Sequence, residues 1–233
     1  MNFFGLRAAT IPYIRAVFQP SRQLLIGGGL LALAGAFIVA LVAGSKYENV
    51  SASFWFDPVT FDESEPMAER LRGAITDDEM KTIARVARAE IASAFTGLRI
   101  TFSDDPNAMY RVRVVQRLRN PMAPRYPAPS GESRRIAGLG GQGAVNFQLL
   151  SNSAIAYAPA DADRAAIIEA IGRGVGRAAV HEFAHQLLGT FPIHDSKDKQ
   201  SYEYPTADRR EQYYGDMHWD TAGPLLKEKF GPL

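Results

Sequence analysis

Apolar and polar residues alternate in some stretches of this chain and recur at helical spacing in others. Phe54-Trp55-Phe56 reads as a short aromatic strand that stops at Asp57-Pro58, because proline cannot donate to a further ladder. From Asp77-Asp78 the period lengthens: Met80, Ile83, Val86, Ile91 and Phe95 recur near every 3.6 residues, with acids at the start and Gly97 at the end. A helix is predicted there. Leu98 to Phe102 and Tyr110 to Val115 alternate, as two neighbouring strands with one buried face would. Asn120 to Gly143 has no period but four prolines followed by Gly138, Gly140, Gly141 and Gly143, which predicts a long surface loop, either functional or merely solvated. Gly143 to Leu150 and Ala154 to Pro159 read as two more strands, the second an edge strand because it ends in proline. After a cap at Asp161 or Asp163, Ile167, Ile168, Ile171, Val175, Phe183 and Leu187 form the buried stripe of a second long helix. Gly172, Gly174 and Gly176 inside it lack the spacing of a nucleotide loop and indicate close packing against the sheet or a local break.

One run has no polar face at all. Leu24 to Ala43 is twenty residues without a charge, long enough at ~1.5 Å per residue to cross a hydrocarbon core of ~30 Å. Arg7, Arg15 and Arg22 precede it with no acid, which places residues 1–23 in the cytoplasm and 44–233 outside it. A cleaved signal peptide, processed near Ala43-Gly44, is the rival reading. The long, positively charged leader favours an uncleaved anchor.

Composition adds two exclusions. With 46% hydrophobic and 22% charged residues the chain is globular in type, and a formal net charge of +1 without a basic run gives no reason to expect nucleic acid. There is no cysteine, so a metal could be held only by His, Asp or Glu.

Such a metal site is suggested by His181-Glu182-Phe183-Ala184-His185, followed by Gly189, His194 and Asp195. Residues four apart share a helix face, so His181 and His185 can offer two imidazoles to one zinc ion with Glu182 beside a reacting water. Phe183 lies roughly 200° around the helix from His181 at about 100° per residue, so burying Phe183 turns the histidines toward a cleft. The third ligand is expected to be His194, with Asp195, Glu211 and His218 as alternatives. Asp195 also suits a role orienting a histidine.

On these residues, with Met217 further on, the chain resembles the metzincin clan of zinc peptidases, whose pattern is H-E-x-x-H-x-x-G-x-x-H and a methionine turn. Here Gly189 follows His185 by four residues and His194 by nine, where the clan has three and six, so the turn to the third ligand is three residues longer. The resemblance implies an α+β zincin-like fold: a twisted mixed sheet of four to five strands, a backing helix and an active-site helix. It further implies a peptide substrate laid along Ala154 to Pro159, Glu182 as general base, and an oxyanion-stabilising tyrosine, Tyr214 or its neighbour Tyr213. Met217 is either the methionine turn or simply core. The expectation is therefore a membrane-anchored zinc endopeptidase acting outside the cytoplasm. A tethered non-catalytic binding or scaffold domain with a structural zinc is the rival from another class.

Overall fold

The computed structural model describes residues 47–64, 66–118, 129–136, 139–189 and 193–232. The expected membrane span, Leu24 to Ala43, lies outside them. Among the described residues no helix is long and apolar enough to cross a membrane.

The fold is α+β, built on a five-stranded mixed sheet of order β2-β1-β3-β5-β4. Its strands are β1 (Val50–Phe56), β2 (Ile100–Ser103), β3 (Tyr110–Val115), β4 (Gly131–Ile136) and β5 (Gly140–Asn146). β1 runs parallel to both β2 and β3, and β3 parallel to β5; β4 alone is antiparallel, paired to β5 from Gly131↔Val145 to Ile136↔Gly140. The strands read at 98–102 and 110–115 are present but do not pair with each other, because β1 lies between them. In β3 the alternation is faithful: Tyr110, Val112 and Val114 are buried while Arg113 points to solvent.

Helix α1 (Asp77–Ala94) begins with a capping box, in which the Thr76 hydroxyl accepts from Glu79 N and the Glu79 carboxylate accepts from Thr76 N. Acids in its first turn complement the helix dipole. Helix α2 (Phe147–Ala156) corrects two strand expectations at once. Gly143 to Asn146 is indeed strand, but from Phe147 onward the chain is helical, and Ala154 to Pro159 is the end of α2 and the turn after it rather than an edge strand. Asn146 caps the helix by accepting from Leu149 N, and Phe147, Leu150, Ser151, Ala154 and Ile155 fall at the i, i+3, i+4, i+7, i+8 positions of one buried face. The edge strand is instead β4, inside the stretch expected to be loop. Its polar residues, Glu132, Ser133, Arg134 and Arg135, hide it from a hydropathy pattern.

Helix α3 (Arg164–Leu188), capped by Asp163, fills the centre of the molecule. It packs against α1 along one side and against β3, β4 and β5 along another, so most of its surface is buried. Its glycines make the α1 contact possible. A Cβ at Gly176 would come within 2.6 Å of the Ala87 carbonyl oxygen, and one at Gly172 within 2.7 Å of Val86 Cβ. The close approach is to a helix, not to the sheet as the sequence suggested. Toward the sheet, Gln186 is fully buried and pairs with the β3 main chain, accepting from Arg111 N (3.2 Å) and donating to Arg111 O (3.1 Å). These bonds fix the height of α3 above the strands. Two short helices, α4 (Glu211–Tyr214) and α5 (Ala222–Phe230), complete the fold.

Candidate metal centre

The last two turns of α3 carry His181, Glu182 and His185. Phe183, between them, is fully buried in an aromatic cluster with Phe95 and Phe102, at centroid distances of 6.3 and 5.4 Å. Burying Phe183 leaves the two histidines half-buried on the opposite side. The helix stops at Gly189, whose φ of 69° is readily adopted only by glycine, and whose N–H caps the His185 carbonyl. The chain then returns through Ile193. That side chain is 1% exposed and packs with Ala184 and Ala222, which pins the following residue, His194, over the helix.

The three imidazoles converge through their Nε2 atoms, separated by 3.0 Å (His181 to His194), 3.1 Å (His181 to His185) and 3.1 Å (His185 to His194). The His181 and His194 rings stack at 7°, and His185 stands edge-on to both at 81°. Neutral imidazoles cannot satisfy one another in such a triangle, because each Nε2 presents either a lone pair or a single proton to two neighbours. Three neutral imidazoles directed at one point are a donor set that suits a divalent ion such as zinc. The three histidines could thus hold a metal ion.

The main chain prepares one of these ligands. His181 Nδ1 lies 2.7 Å from the Tyr202 carbonyl oxygen, to which it can only donate, so the Nε2 lone pair faces the cluster. The Tyr202 peptide is itself fixed. Its N–H donates to His218 O at 3.0 Å, and the adjoining Glu203, fully buried, accepts from Asp220 N, Ala222 N and both the N–H and hydroxyl of Thr221. Burial depresses the imidazoles, His181 to about 3 against the pull of the Tyr202 hydrogen bond and His185 to about 4, keeping them in the neutral form that binds metal.

Glu182 is 5% exposed, and burial, with the nearby Glu132 charge, pushes its carboxyl up to about 8. It lies under the start of β4: a Cβ at Gly131 would overlap its carboxylate, and Ser133 Oγ donates to its main-chain carbonyl at 3.2 Å. Edge strand and helix therefore form two walls of a cleft of about 870 Å³, closed on the remaining side by Pro205 to Asp208, Leu149 and Ser153 of α2, and Tyr213. A buried carboxyl, three convergent nitrogen ligands and the edge strand β4 meet in it.

The other expected residues fall elsewhere. Among the described residues Asp195, Glu211 and His218 are outside the cluster. Asp195 is exposed, the Glu211 carbonyl accepts from Arg177, and the His218 ring pairs with Asp198 at 3.2 Å. Met217 is half-buried against the main core. Tyr214 donates its hydroxyl to the Ala154 carbonyl at 2.8 Å, and it is Tyr213 that borders the cleft. Sequence reading missed Gly131 to Arg135, Ser153, the Tyr202 carbonyl, Glu203 and Asp208. A polar edge strand has no hydropathy signature, and a main-chain carbonyl has no residue-type signature at all.

Comparison with protein-family models, with curated proteins and with solved structures returns no match.

Proposed function

We propose that the chain is a zinc-dependent metallopeptidase with a metzincin-like site, held at a membrane by residues 24–43 with the catalytic domain outside the cytoplasm. The observation that carries this reading is the triangle of Nε2 atoms beside the buried Glu182 carboxyl, in a cleft walled by the edge strand β4. Nitrogen-only ligation without cysteine suits zinc better than calcium or magnesium, which prefer oxygen. Bound there, zinc would supply Lewis acidity, polarising a peptide carbonyl and bringing a water within reach of ionisation near pH 7.

The residues of the chain have separate tasks. His181, His185 and His194 would hold the ion through three protein ligands, the number typical of catalytic rather than structural zinc sites. Glu182, whose ionised form the positive charge of a bound ion would favour, takes the proton of the attacking water on its carboxylate and returns it to the leaving amine. β4 offers free main-chain groups to an extended peptide, the role the resemblance had given to Ala154 to Pro159. The tethered scaffold with a structural zinc predicts a closed, four-ligand centre; three clustered ligands favour the enzyme.

The test is metal analysis of the full-length protein in detergent together with peptide cleavage. Wild type should carry about one zinc per chain. Glu182→Gln should retain it while cleavage falls roughly 10²- to 10⁴-fold, the range for loss of a general base. Absence of zinc from the wild type, or normal cleavage by Glu182→Gln, would sink this assignment.

A further inference from the structure

The cleft extends beyond the histidines toward the beginning of β4, between Leu149 and Ser153 of α2, the turn at Pro205 to Asp208, and Tyr213. Tyr213 is fully buried and held on one face and along one edge. Gly174 leaves room for its edge, where a Cβ would collide with the ring, and the ring stacks on Tyr157 at 6.1 Å and 17°. Its hydroxyl nevertheless has no hydrogen-bond partner among the described residues, and Ser153 stands beside it without a bond of normal geometry. A buried hydroxyl that packing holds rigid and leaves unpartnered is costly to the fold, so its presence at the wall of a cleft points to a polar group arriving from outside.

The character of that group follows from the charges around it. Asp208 lies exposed at the same end of the cleft and, among the described residues, its side chain accepts only from the Tyr157 hydroxyl, at 2.9 Å. Glu132 on β4 adds a second carboxylate along the lining. The nearby cation, Arg209, is buried and donates to the carbonyls of Lys199, Ser201 and Thr206, so it does not neutralise the mouth. The positive side chain of the cleft, Arg135, is at the opposite end against Gly189. The two ends thus carry opposite charges, with the histidines between them.

We propose that this pocket receives a lysine or arginine side chain of the substrate, its charged tip donating to Tyr213 Oη and Asp208, on the carboxyl side of the cleaved bond. The direction comes from β4, which starts above Glu182 at Gly131 and passes Gly189 at Arg135. Antiparallel pairing is the more stable arrangement per residue, so a peptide added to β4 runs the other way, from Arg135 toward Asp208, and presents residues beyond the cleaved bond to the pocket. Aliphatic carbon of the basic side chain lies along Leu149, and the hydroxyl and carboxylate meet only its end.

This inference rests on the peptidase reading. Its test is cleavage of a position-scanned peptide library by the full-length, zinc-loaded protein in detergent, with kcat/KM for Lys, Arg, Gln, norleucine and Glu in the first position after the cleaved bond. Lys and Arg should exceed Gln and norleucine by roughly tenfold, and Glu should be the poorest. Asp208→Asn should draw the Lys-to-Gln ratio toward one. Tyr213→Phe should lower both Lys and Gln relative to norleucine. Equal rates across the five residues, a basic preference on the amino side of the bond, or a Lys-to-Gln ratio unmoved by Asp208→Asn would each overturn the pocket assignment while leaving the peptidase standing. Failure of the zinc-loaded wild type to cleave any peptide overturns the peptidase reading itself.

Discussion

At the scale of single residues, the centre depends on how different side chains are restrained. His181 is oriented by a main-chain carbonyl, His185 by its place one turn further along the same helix, and His194 by the burial of its neighbour Ile193. Asp195 follows His194 directly, yet among the described residues it is outside the cluster and exposed. Replacement of the two should therefore separate cleanly. His194→Ala should lower the zinc content of purified protein far below one per chain, whereas Asp195→Ala should leave it close to wild type. Equal loss from both variants would mean that the aspartate contributes to holding the metal.

Elements impose a different logic. α3 must lie close to α1 on one side and to the sheet on another, and its small residues and Gln186 set those two distances. Glycine inside a helix costs about 1 kcal/mol relative to alanine, so Gly176→Ala would be stabilising if there were space. There is none: the new methyl would meet the Ala87 carbonyl oxygen at 2.6 Å and its Cα at 2.8 Å, both rigid main-chain atoms. Overpacking of this kind typically costs about 1–3 kcal/mol, which outweighs the gain in helix propensity. Gly176→Ala should lower the midpoint of chemical denaturation. A higher midpoint would show that the two helices can separate without penalty. The buried pair of Arg177 with Glu90, at 2.9 Å, joins the same two helices, and Arg177 also donates to the carbonyls of Glu211, Gln212 and Gly215, fixing the turn after α4.

At the scale of the whole molecule, distant segments are tied by charges whose state depends on pH. Glu79 closes the capping box of α1 and binds Arg164 at the start of α3, at 2.6 and 2.9 Å; Arg164 also donates to the carbonyls of Leu71 and Ala74. The Arg164 hydrogen bond, more than any other contact, holds the Glu79 carboxyl down at about 2. A carboxyl whose folded pKa lies below its unfolded value contributes stability that is complete above the unfolded value, near 4.5, and is lost as pH falls toward about 2. Glu79→Gln keeps acceptor and donor in the capping box but removes the charge. Its thermal midpoint should lie below wild type from neutral pH down to about 5 and converge on it between about 4.5 and 2. A deficit unchanged by acid would assign the effect to packing rather than to the ion pair.

Local pattern is enough for the helices at 77–94 and 164–188, the alternation of β3, and the placing of His181 and His185 on one face away from Phe183, because helical and strand periods are local properties of side-chain order. The sequence offered His194 as the expected third ligand, with Asp195, Glu211 and His218 left as alternatives. It could not show that β1 separates β2 from β3, or that the strand bordering the cleft is Gly131 to Ile136, because pairing is set by long-range contacts and this edge carries polar residues on both faces. It mistook Phe147 to Leu150 and Ala154 to Pro159 for strand, where a single asparagine cap and a helically spaced apolar face decided otherwise. Only the tertiary structure brought His194 Nε2 to within 3.1 Å of the other two, aimed His181 through the Tyr202 carbonyl, and set Tyr213 and Asp208 at one end of the cleft with Arg135 at the other. Those arrangements depend on distances between segments far apart in the chain, and packing fixes such distances where local pattern cannot.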